Sequence, residues 1–569
     1  MRFSFYSMAL LVAIASCSTR KAALKNINPY QYTTTKKVVA QNGAVASAHP
    51  LASKVGVEIM KAGGNAVDAA IATQLALAVV YPNAGNIGGG GFMVARLADG
   101  TKVALDYREM APAAAHRDMY LDAGGNVLAE KSLRGHLSSG VPGTVAGLFE
   151  SLKYARLPFK QLIQPAIELA EKGFVITERE ASSLNGLQET LAKYNTTPNA
   201  LQRDGWKAGD TLVQPDLAKS LVRIRNNGAK GFYEGKTARL IVEEMKRGGG
   251  IISLEDLKNY KAKWRTPHSF TYKGYGIVSM PMPSSGGVLI HQMLKMIEDQ
   301  PLPSYGHNSP RAVQLMTEAE RRAYADRAEY MGDPDFFKVP VDALVSNTYL
   351  KTRMKDYRPE VAGNSQVIRP GTLPGKESEQ TTHISVIDRE GNAVAVTTTL
   401  NDSYGSKTIV GGAGFLLNDE MDDFSVKPGV PNMYGAVGGE ANAIAPGKRM
   451  LSSMTPTLVL NDGKPFLVVG TPGGTTIPTS VFQTIVNVID FELDTEATVN
   501  RPKFHHQWLP DRIDVEKTFP LETRTALGKM GYTVHERSPI GRTEVIKVLP
   551  DGRFEAVADS RGDDGAEGF

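Results

Sequence analysis

Two threonines that flank one predicted β-hairpin are the first candidates for chemistry in this sequence. Apolar, β-branched runs on both sides of the turn at 390–392 predict antiparallel strands, which would make Thr381 and Thr399 cross-strand neighbours. A threonine hydroxyl is a weak nucleophile, but an α-amine on the same residue can act as its base, with a pKa of roughly 8. That chemistry requires a cut before Thr381. The alternative is a threonine-rich hairpin with no catalytic role.

The segment before Thr381 has the composition of an exposed loop. Residues 355–380 contain three prolines and three glycines and end in the charged, polar run 376–380, after which a strong strand pattern begins at once. Such a loop would give the chain the conformational freedom that a cut before Thr381 needs.

The elements that must position these residues form a repeated pattern of hairpins and helices. Four apolar segments fold around turn residues and predict hairpins at 92–107, 383–400, 457–469 and 545–558. Helical patterns lie between them at 145–155, 159–172 and 309–327, and residues 66–81 predict a buried core helix. Hairpins beside helices predict an α+β fold of antiparallel sheets covered by helices.

Composition and residue counts exclude several classes of function. A chain of 569 residues with 42% hydrophobic residues is globular, and its net charge of only +4 gives no support for a nucleic-acid partner. Cys17 is the only cysteine, so neither an intramolecular disulfide nor a multi-cysteine zinc site is possible. His505 and His506 lack a partner at metal-ligand spacing and are interpreted as structural. We predict no metal and no cofactor.

The N-terminus has the layout of an export signal. Arg2 precedes a mostly apolar stretch from 3 to 15, and residues 14–17 resemble a bacterial lipobox ending in Cys17. We therefore predict a lipoprotein-like signal at 1–17, lipidation of Cys17, a polar tether at 18–37 and a periplasmic, membrane-anchored protein. An ordinary signal peptide, with Cys17 as a bystander, is the alternative. Beyond residue 37 no transmembrane helix is expected.

The hairpin motif extends into a family resemblance. Residues 381–405 resemble the signature of the gamma-glutamyltransferases (gamma-glutamyltranspeptidases), and the similarity runs from about residue 39 to the C-terminus. Further matching motifs lie at 106–112, 140–143, 418–424, 451–454 and 471–474. The resemblance implies a four-layer αββα N-terminal-nucleophile hydrolase fold. It also implies self-cleavage between Gln380 and Thr381, which gives a large subunit, 38–380, and a small catalytic subunit, 381–569, that stay associated.

The resemblance also implies the reaction. Thr381 would attack the γ-amide carbonyl of glutathione or a related γ-glutamyl donor, release the amine and keep a γ-glutamyl ester. Water, or an amino-acid or peptide acceptor, would complete the cycle. Thr399 resembles the threonine that hydrogen-bonds the nucleophile, and the amides of Gly473 and Gly474 match the oxyanion hole. Tyr434 belongs to a segment, 428–439, that resembles a lid.

Six residues match those that bind the donor's zwitterionic end in this family. Arg108 would grip the α-carboxylate, which suits a planar guanidinium. Hydroxyl donors would be added by Ser452 and Ser453. Acidic and amide groups that match the ammonium site are Asn401, Glu420 and Asp423.

Two alternatives remain open. A cephalosporin or glutaryl acylase on the same fold would use the same nucleophile on a substrate without an α-ammonium, leaving Glu420 and Asp423 to face an apolar or anionic ligand at a desolvation cost. A non-catalytic periplasmic binding lipoprotein belongs to a different class. It would be expected to lose the nucleophile or the glycine pair, and both are present.

Overall fold

The computed structural model describes residues 27–371, 382–427, 430, 433 and 440–569. The predictions made for Cys17, Gln380, Thr381 and Tyr434 therefore lie outside the described residues.

Most of the described strands belong to two large sheets. In chain order the strands are β1 (Lys37–Ala40), β2 (Gly43–Ser47), β3 (Gly90–Arg96), β4 (Lys102–Asp106), β5 (Phe174–Val175), β6 (Thr211–Leu212), β7 (Lys263–Arg265), β8 (His268–Tyr272), β9 (Tyr275–Ser279), β10 (Thr382–Asp388), β11 (Ala393–Thr399), β12 (Thr457–Asn461), β13 (Lys464–Gly470), β14 (Phe504–His505), β15 (Ile513–Glu516), β16 (Val534–Arg537), β17 (Glu544–Val548), β18 (Phe554–Val557) and β19 (Gly565–Gly568). Sheet A has the order β1-β18-β17-β13-β12-β9-β8, and sheet B has the order β19-β2-β10-β11-β3-β4-β7.

Helices cover the outer faces of both sheets. In chain order they are α1 (Pro50–Lys61), α2 (Ala66–Val80), α3 (Ala129–Leu133), α4 (Thr144–Ser151), α5 (Phe159–Lys172), α6 (Glu178–Tyr194), α7 (Pro215–Asn227), α8 (Lys230–Tyr233), α9 (Gly235–Gly248), α10 (Leu254–Asn259), α11 (Gly286–Ile297), α12 (Leu302–Tyr305), α13 (Pro310–Tyr330), α14 (Val341–Leu344), α15 (Asn347–Arg353), α16 (Thr476–Ile489), α17 (Thr495–Asn500) and α18 (Leu521–Lys529). Among the described residues, no helix combines the length and the apolar character needed to cross a bilayer.

Side-chain size along the strands explains the four layers. In β11, Val394 and Val396 belong to the core that sheet B shares with α1, α2 and α5. The alternate residues Ala393 and Ala395 face the space between the sheets and pack with residues of sheet A. Larger residues of sheet A pack against α11, α13 and α16 on its other face. Small residues between the sheets and bulky ones toward the helices give an αββα sandwich.

The four predicted hairpins are confirmed. They are β3/β4, β10/β11, β12/β13 and β17/β18, all antiparallel. The predicted helix at 159–172 is α5, with the same bounds. The predicted core helix at 66–81 is α2, in which every residue is buried.

The chain before β1 already contacts the folded body. The Tyr32 hydroxyl donates to the Val175 carbonyl at 2.7 Å. The Lys36 ammonium donates to three carbonyls of the C-terminal segment, those of Asp559, Gly562 and Asp564, at 2.7–2.8 Å. The described part of the predicted tether, from residue 27 onward, thus lies on the body.

Candidate active site

The β10/β11 hairpin brings its threonines to one end of sheet B. Thr382 pairs with Thr398, and Thr399 pairs with Gly90 of β3. Thr399 is buried, and its hydroxyl accepts the Asn401 N–H at 2.7 Å. Asn401 has a φ of +74°, which turns the chain sharply as it leaves the strand. This turn fixes the Thr399 hydroxyl at the sheet end.

A chain of polar contacts lies between the sheets and reaches Thr397, two residues before Thr399 on β11. His383 contacts the Thr397 hydroxyl through Nδ1 at 2.9 Å and the Ser385 hydroxyl through Nε2 at 3.1 Å. Because the Ser385 hydroxyl donates to the Glu544 carbonyl at 3.0 Å, its oxygen must accept a hydrogen bond from Nε2–H of His383. Burial lowers the pKa of His383 to about 3, so the ring is neutral. This chain ties β10 to β17 of sheet A.

Arg108 follows β4 and forms the centre of a buried ionic cluster. Its guanidinium donates to Glu420 and Asp423, and it also donates to the carbonyls of Met450 at 3.2 Å and Leu451 at 3.3 Å. Arg108 is fully buried. Burial disfavours its charge, but the neighbouring carboxylates outweigh burial and raise its pKa. The structure therefore brings together the three predicted charged residues of the donor site.

The cluster contains more acids than bases. Glu109, a residue to which the sequence analysis gave no role, lies 3.6 Å from Arg108 and is fully buried. Burial raises the pKa of Glu109 to about 7, with Arg108 opposing the shift, and burial also raises the pKa of the neighbouring Glu420. One guanidinium thus faces three carboxyl groups, and the cluster favours an added positive charge.

Four buried oxygens of the cluster have no hydrogen-bond donor within the described part of the chain: both carboxyl oxygens of Glu109, Oδ1 of Asn401 and Oε2 of Glu420. Asn401 donates through Nδ2 to the Asp419 carbonyl at 3.0 Å, which leaves its Oδ1 without a donor. Glu420 Oε2 meets no amide, hydroxyl or cationic donor there, and its neighbour is the Glu109 carboxyl. Buried acceptors without donors are costly unless a ligand satisfies them.

Two asparagines, neither predicted, hold the acidic segment in place. Asn418 accepts the N–H groups of Gly140 and Glu420 and donates to the carbonyls of Gly88 and Gly140. Asn442 donates to the Asp423 carbonyl at 2.7 Å and accepts the Leu451 N–H at 3.0 Å. These bonds explain why the matching motifs at 140–143, 418–424 and 451–454 occur together.

Ser452 and Ser453 follow the carbonyls that Arg108 contacts. Both are buried. The Ser452 hydroxyl accepts the Met454 N–H at 3.1 Å. Ser453 accepts Nη2 of Arg327 at 2.7 Å, and Arg327 also donates to Ser285 at 2.9 Å. No role was predicted for Arg327 from the sequence, although an arginine on the buried face of α13 indicates a buried polar partner.

A glycine contact joins the ionic cluster to the hairpin. A Cβ added to Gly90 would lie 2.6 Å from Glu109 Oε2. Gly90 is also the strand partner of Thr399. The absence of a side chain at Gly90 therefore lets the Arg108 cluster pack against the end of β11.

Gly473 and Gly474 form the turn between β13 and α16. Their φ angles are +140° and +67°, and their carbonyls accept the N–H groups of Thr476 and Ile477 at the start of α16. Within the described residues neither glycine N–H donates to a carbonyl. The turn continues from Gly470, whose added Cβ would collide with the His383 ring at 2.2 Å. Both amides thus lie near β10 at the N-terminal, positive end of a helix.

Comparisons with known proteins agree with this geometry. A family model described as gamma-glutamyltranspeptidase matches residues 52–569. The chain is 50% identical over 528 residues to the glutathione hydrolase proenzyme of Escherichia coli (strain K12), covering 92% of this chain and 91% of that protein. The chain belongs to the gamma-glutamyltranspeptidase family.

Solved structures of this family and of acylases share the fold. The gamma-glutamyltranspeptidase of Helicobacter pylori is 46% identical with a TM-score of 0.56, covering 60% of this chain and 99% of that chain. A cephalosporin acylase from Bacillus halodurans has a TM-score of 0.83 at 27% identity, covering 96% of this chain and 98% of that chain. The predicted N-terminal-nucleophile hydrolase fold and the family resemblance are confirmed.

Proposed function

We propose that this chain is a self-cleaving γ-glutamyltransferase and glutathione hydrolase whose nucleophile is the N-terminal Thr381 of its small subunit. The observation that carries the proposal is the buried cluster of Arg108, Glu420 and Asp423 beside the end of β11. In this cluster the carboxyl groups lie within hydrogen-bonding distance of one guanidinium, so binding groups of opposite charge are adjacent. A γ-glutamyl group carries an α-carboxylate and an α-ammonium on one carbon, which this cluster matches.

When the donor binds, its charged groups would replace the ion pairs that Arg108 makes with the carboxyl groups of the cluster. The donor's carboxylate would bind the Arg108 guanidinium, with Ser452 and Ser453 adding hydroxyl contacts. Its ammonium would be bound by Glu420 and Asp423, and would donate to the open Oδ1 of Asn401. The excess of carboxyl groups then neutralises the ammonium without leaving a buried charge unpaired.

The hairpin register supports the assignment of the nucleophile. Thr382 pairs with Thr398, so continuing the antiparallel register by one residue would oppose Thr381 and Thr399. In the cut enzyme the α-amine of Thr381 would remove the hydroxyl proton as the oxygen attacks the γ-carbonyl carbon. Thr399 would orient the nucleophile through its hydroxyl.

The Gly473 and Gly474 amides would stabilise the tetrahedral intermediate. Both lie at the positive end of α16, and within the described residues their N–H groups make no hydrogen bond to a carbonyl. As the intermediate collapses, the C–N bond breaks and the released nitrogen takes the proton held by the α-amine. The γ-glutamyl ester then passes to water or to an acceptor amine, and no cofactor takes part.

Two subunits, 38–380 and 381–569, would result from cleavage after Gln380 and remain associated. β10 and β11 of the small subunit pair with β2 and β3 of the large one, so the subunits would share sheet B. The H. pylori chain, itself covered over 99% of its length, matches 60% of this chain, a share close to that of 38–380. Tyr434 would belong to a lid over the site.

An acylase function is favoured by the TM-score of 0.83 to a cephalosporin acylase and by 36% identity to the acylase ACY 1 proenzymes of two Pseudomonas strains. The acidic cluster favours a γ-glutamyl substrate over a glutaryl one, because a glutaryl group has no ammonium to pair with the carboxyl groups. The test is to compare cleavage of γ-glutamyl, α-glutamyl and glutaryl p-nitroanilides, with Thr381→Ala as the inactive control. We expect cleavage of the γ-glutamyl compound at a rate at least about 100-fold above the others. Equal cleavage of the glutaryl compound would overturn the proposal.

We also propose that the chain is exported to the periplasm and anchored by a lipid on Cys17, because residues 1–17 have the pattern of a lipoprotein signal. Cell fractionation of the wild type and Cys17→Ala tests this. The wild type should require detergent for release from membranes, and the variant should be released by osmotic shock. Release of the wild type by osmotic shock alone would contradict the anchor.

A further inference from the structure

The glycine turn, formed by Gly473 and Gly474, has no side chain of its own to fix it. Two consecutive glycines leave the backbone dihedral angles wide freedom, so the direction of both N–H groups depends on the residues on either side. On the N-terminal side, the Thr471 hydroxyl accepts the Arg542 N–H at 2.8 Å. On the C-terminal side, the carbonyl and the hydroxyl of Thr475 both contact side chains outside the turn. The contacts of Thr475 therefore help to decide where the two amides point.

The side-chain partner of the Thr475 carbonyl is Tyr324 of α13, whose hydroxyl donates to it. The Tyr324 side chain is buried, and its ring meets the His505 ring edge to face, with 5.6 Å between the ring centroids. This packing restricts the ring and so directs its hydroxyl. Because α13 lies within 38–380 and Thr475 within 381–569, the hydrogen bond would join the two subunits.

Tyr324 shares one face of α13 with two other residues that reach across the same boundary. Glu320, Tyr324 and Arg327 are spaced by four and by three residues, which places them on one side of a helix. Glu320 accepts the His506 N–H at 2.9 Å, and Arg327 donates to the Ser453 hydroxyl at 2.7 Å. This face of α13 thus contacts the segment after β14, the end of the glycine turn and the predicted donor site in succession.

The Thr475 hydroxyl is held by the segment after β14, where it donates to Gln507 Oε1 at 2.6 Å. The Gln507 amide is oriented by its Nε2, which donates to the Leu509 carbonyl at 3.1 Å. The same Oε1 lies 2.9 Å from Nε2 of His505, whose Nδ1 lies 2.9 Å from the Thr479 hydroxyl in α16. Burial lowers the pKa of His505 to about 3, so the ring is neutral. Because Oε1 can only accept, Nε2 carries the ring proton and Nδ1 accepts from the hydroxyl.

We propose that Tyr324 is a positioning residue for the reaction. Its hydroxyl, together with the Gln507 amide, holds Thr475 so that both N–H groups of the glycine turn point at the γ-carbonyl oxygen of the donor. The inference rests on the proposed function, because an oxyanion forms only if Thr381 attacks that carbonyl. Tyr324 acts through the backbone of the turn. In this way the large subunit would contribute to a site whose nucleophile and oxyanion amides belong to the small subunit.

Tyr324→Phe isolates the hydroxyl from the rest of the side chain. The ring is kept, so its packing against His505 and its contact with the Arg327 guanidinium, 5.9 Å from the ring centroid, are preserved. Complete loss of one oxyanion donor lowers the rate about 10²- to 10³-fold. Because the substitution redirects the amides without removing them, we expect a smaller loss, about tenfold or more. The donor's charged groups bind at the Arg108 cluster, which the substitution leaves intact.

The test is single-turnover release of p-nitroaniline from γ-glutamyl-p-nitroanilide, with the cut enzyme in excess over the donor. The maximum rate reports acylation, and the enzyme concentration that gives half of this rate reports donor binding. In Tyr324→Phe the maximum rate should fall about tenfold or more, while the half-saturating concentration should stay within about twofold of the wild type.

The matched control is Tyr532→Phe. Tyr532 is also buried, and its hydroxyl also contacts α13, donating to Glu318 at 2.7 Å. Glu318 lies on the opposite face of the helix from Tyr324, because successive residues are rotated by about 100°. The control should lose a comparable hydrogen bond and keep its maximum acylation rate within about twofold of the wild type. An unchanged maximum rate in cut Tyr324→Phe, or a half-saturating concentration that rises as the rate falls, would overturn the inference.

A second pair of variants covers the case in which Tyr324→Phe fails to fold. Thr475→Val removes the hydroxyl that Gln507 accepts and keeps the shape of the side chain, whereas Thr475→Ser keeps the hydroxyl. Acylation should be about fivefold or more slower in Thr475→Val than in Thr475→Ser. Equal rates in the two would overturn the inference. Failure of the proposed function is recognised separately, because the wild type would then release no p-nitroaniline from the donor.

Discussion

Asp423→Asn separates recognition of the donor's ammonium from the rest of the site. The substitution keeps the shape of the side chain and removes one of the three carboxyl groups around Arg108. A hydrogen bond to a charged group is worth about 1.5–3 kcal/mol, and its neutral replacement roughly half of that or less. With the lost Coulomb attraction in a fully buried cluster, we expect about 2–3 kcal/mol, or about 30- to 150-fold in kcat/KM.

The assay compares γ-glutamyl and glutaryl p-nitroanilides on the cut enzyme. Only the γ-glutamyl donor has an ammonium, so its kcat/KM should fall while that of the glutaryl compound should stay constant or rise. The control is Asp422→Asn. Asp422 accepts the Ser132 hydroxyl at 2.6 Å, and burial raises its pKa to about 6. This neighbouring carboxyl is not bonded to Arg108 and should have a small effect on the ratio.

An equal loss for both substrates would refute the reasoning. It would mean that Asp423 acts only by holding Arg108 in place.

Three further predictions concern Gly473 in the turn before α16, the buried carboxyl group of Glu544, and the side chain of Asn418. Gly473→Ala should lower kcat about 100-fold or more, because φ is +140° and the added Cβ would lie 2.4 Å from Thr476 Oγ1, displacing the oxyanion amide. Glu544→Gln should reduce the loss of unfolding free energy that the wild type shows above about pH 5 in denaturant titrations. Burial raises the pKa of Glu544 in the folded state. Its contribution to stability is therefore complete below the pKa of the unfolded state and is lost as the pH rises through the pKa of the folded state. Asn418→Ala should cost about 2–4 kcal/mol in unfolding free energy and raise the donor KM, because three backbone groups lose their partner and the Gly88 carbonyl keeps only the backbone N–H of residue 418.

Each has a contradicting outcome. Wild-type kcat in Gly473→Ala would remove this turn from the oxyanion hole. A pH dependence of Glu544→Gln identical to the wild type would mean that the acid is charged in the folded state. A wild-type donor KM in Asn418→Ala would mean that Asn418 does not support the donor site.

Local patterns in the sequence predicted the elements but not the packing between them. Turn dipeptides inside β-branched runs were sufficient to locate the four hairpins, and the amphipathic period located α5 to the residue. Arg108 and Glu420 are 312 residues apart, so only the family resemblance indicated that they meet. Glu109, Asn418 and Arg327 were given no role because their importance arises from contacts made across the fold. A buried acid or arginine has no signature in a single sequence until its partners are known.

The central claim is that Thr381 becomes an N-terminus and then the nucleophile. The most direct measurement is the intact mass and N-terminal sequence of the purified protein, expressed without residues 1–17 and held at neutral pH, beside the same protein carrying Thr381→Ala. We predict two associated chains from the wild type, the smaller beginning at Thr381, and one uncut, inactive chain from the variant. A wild type that remains a single chain, or a Thr381→Ala protein that is active, would contradict the account.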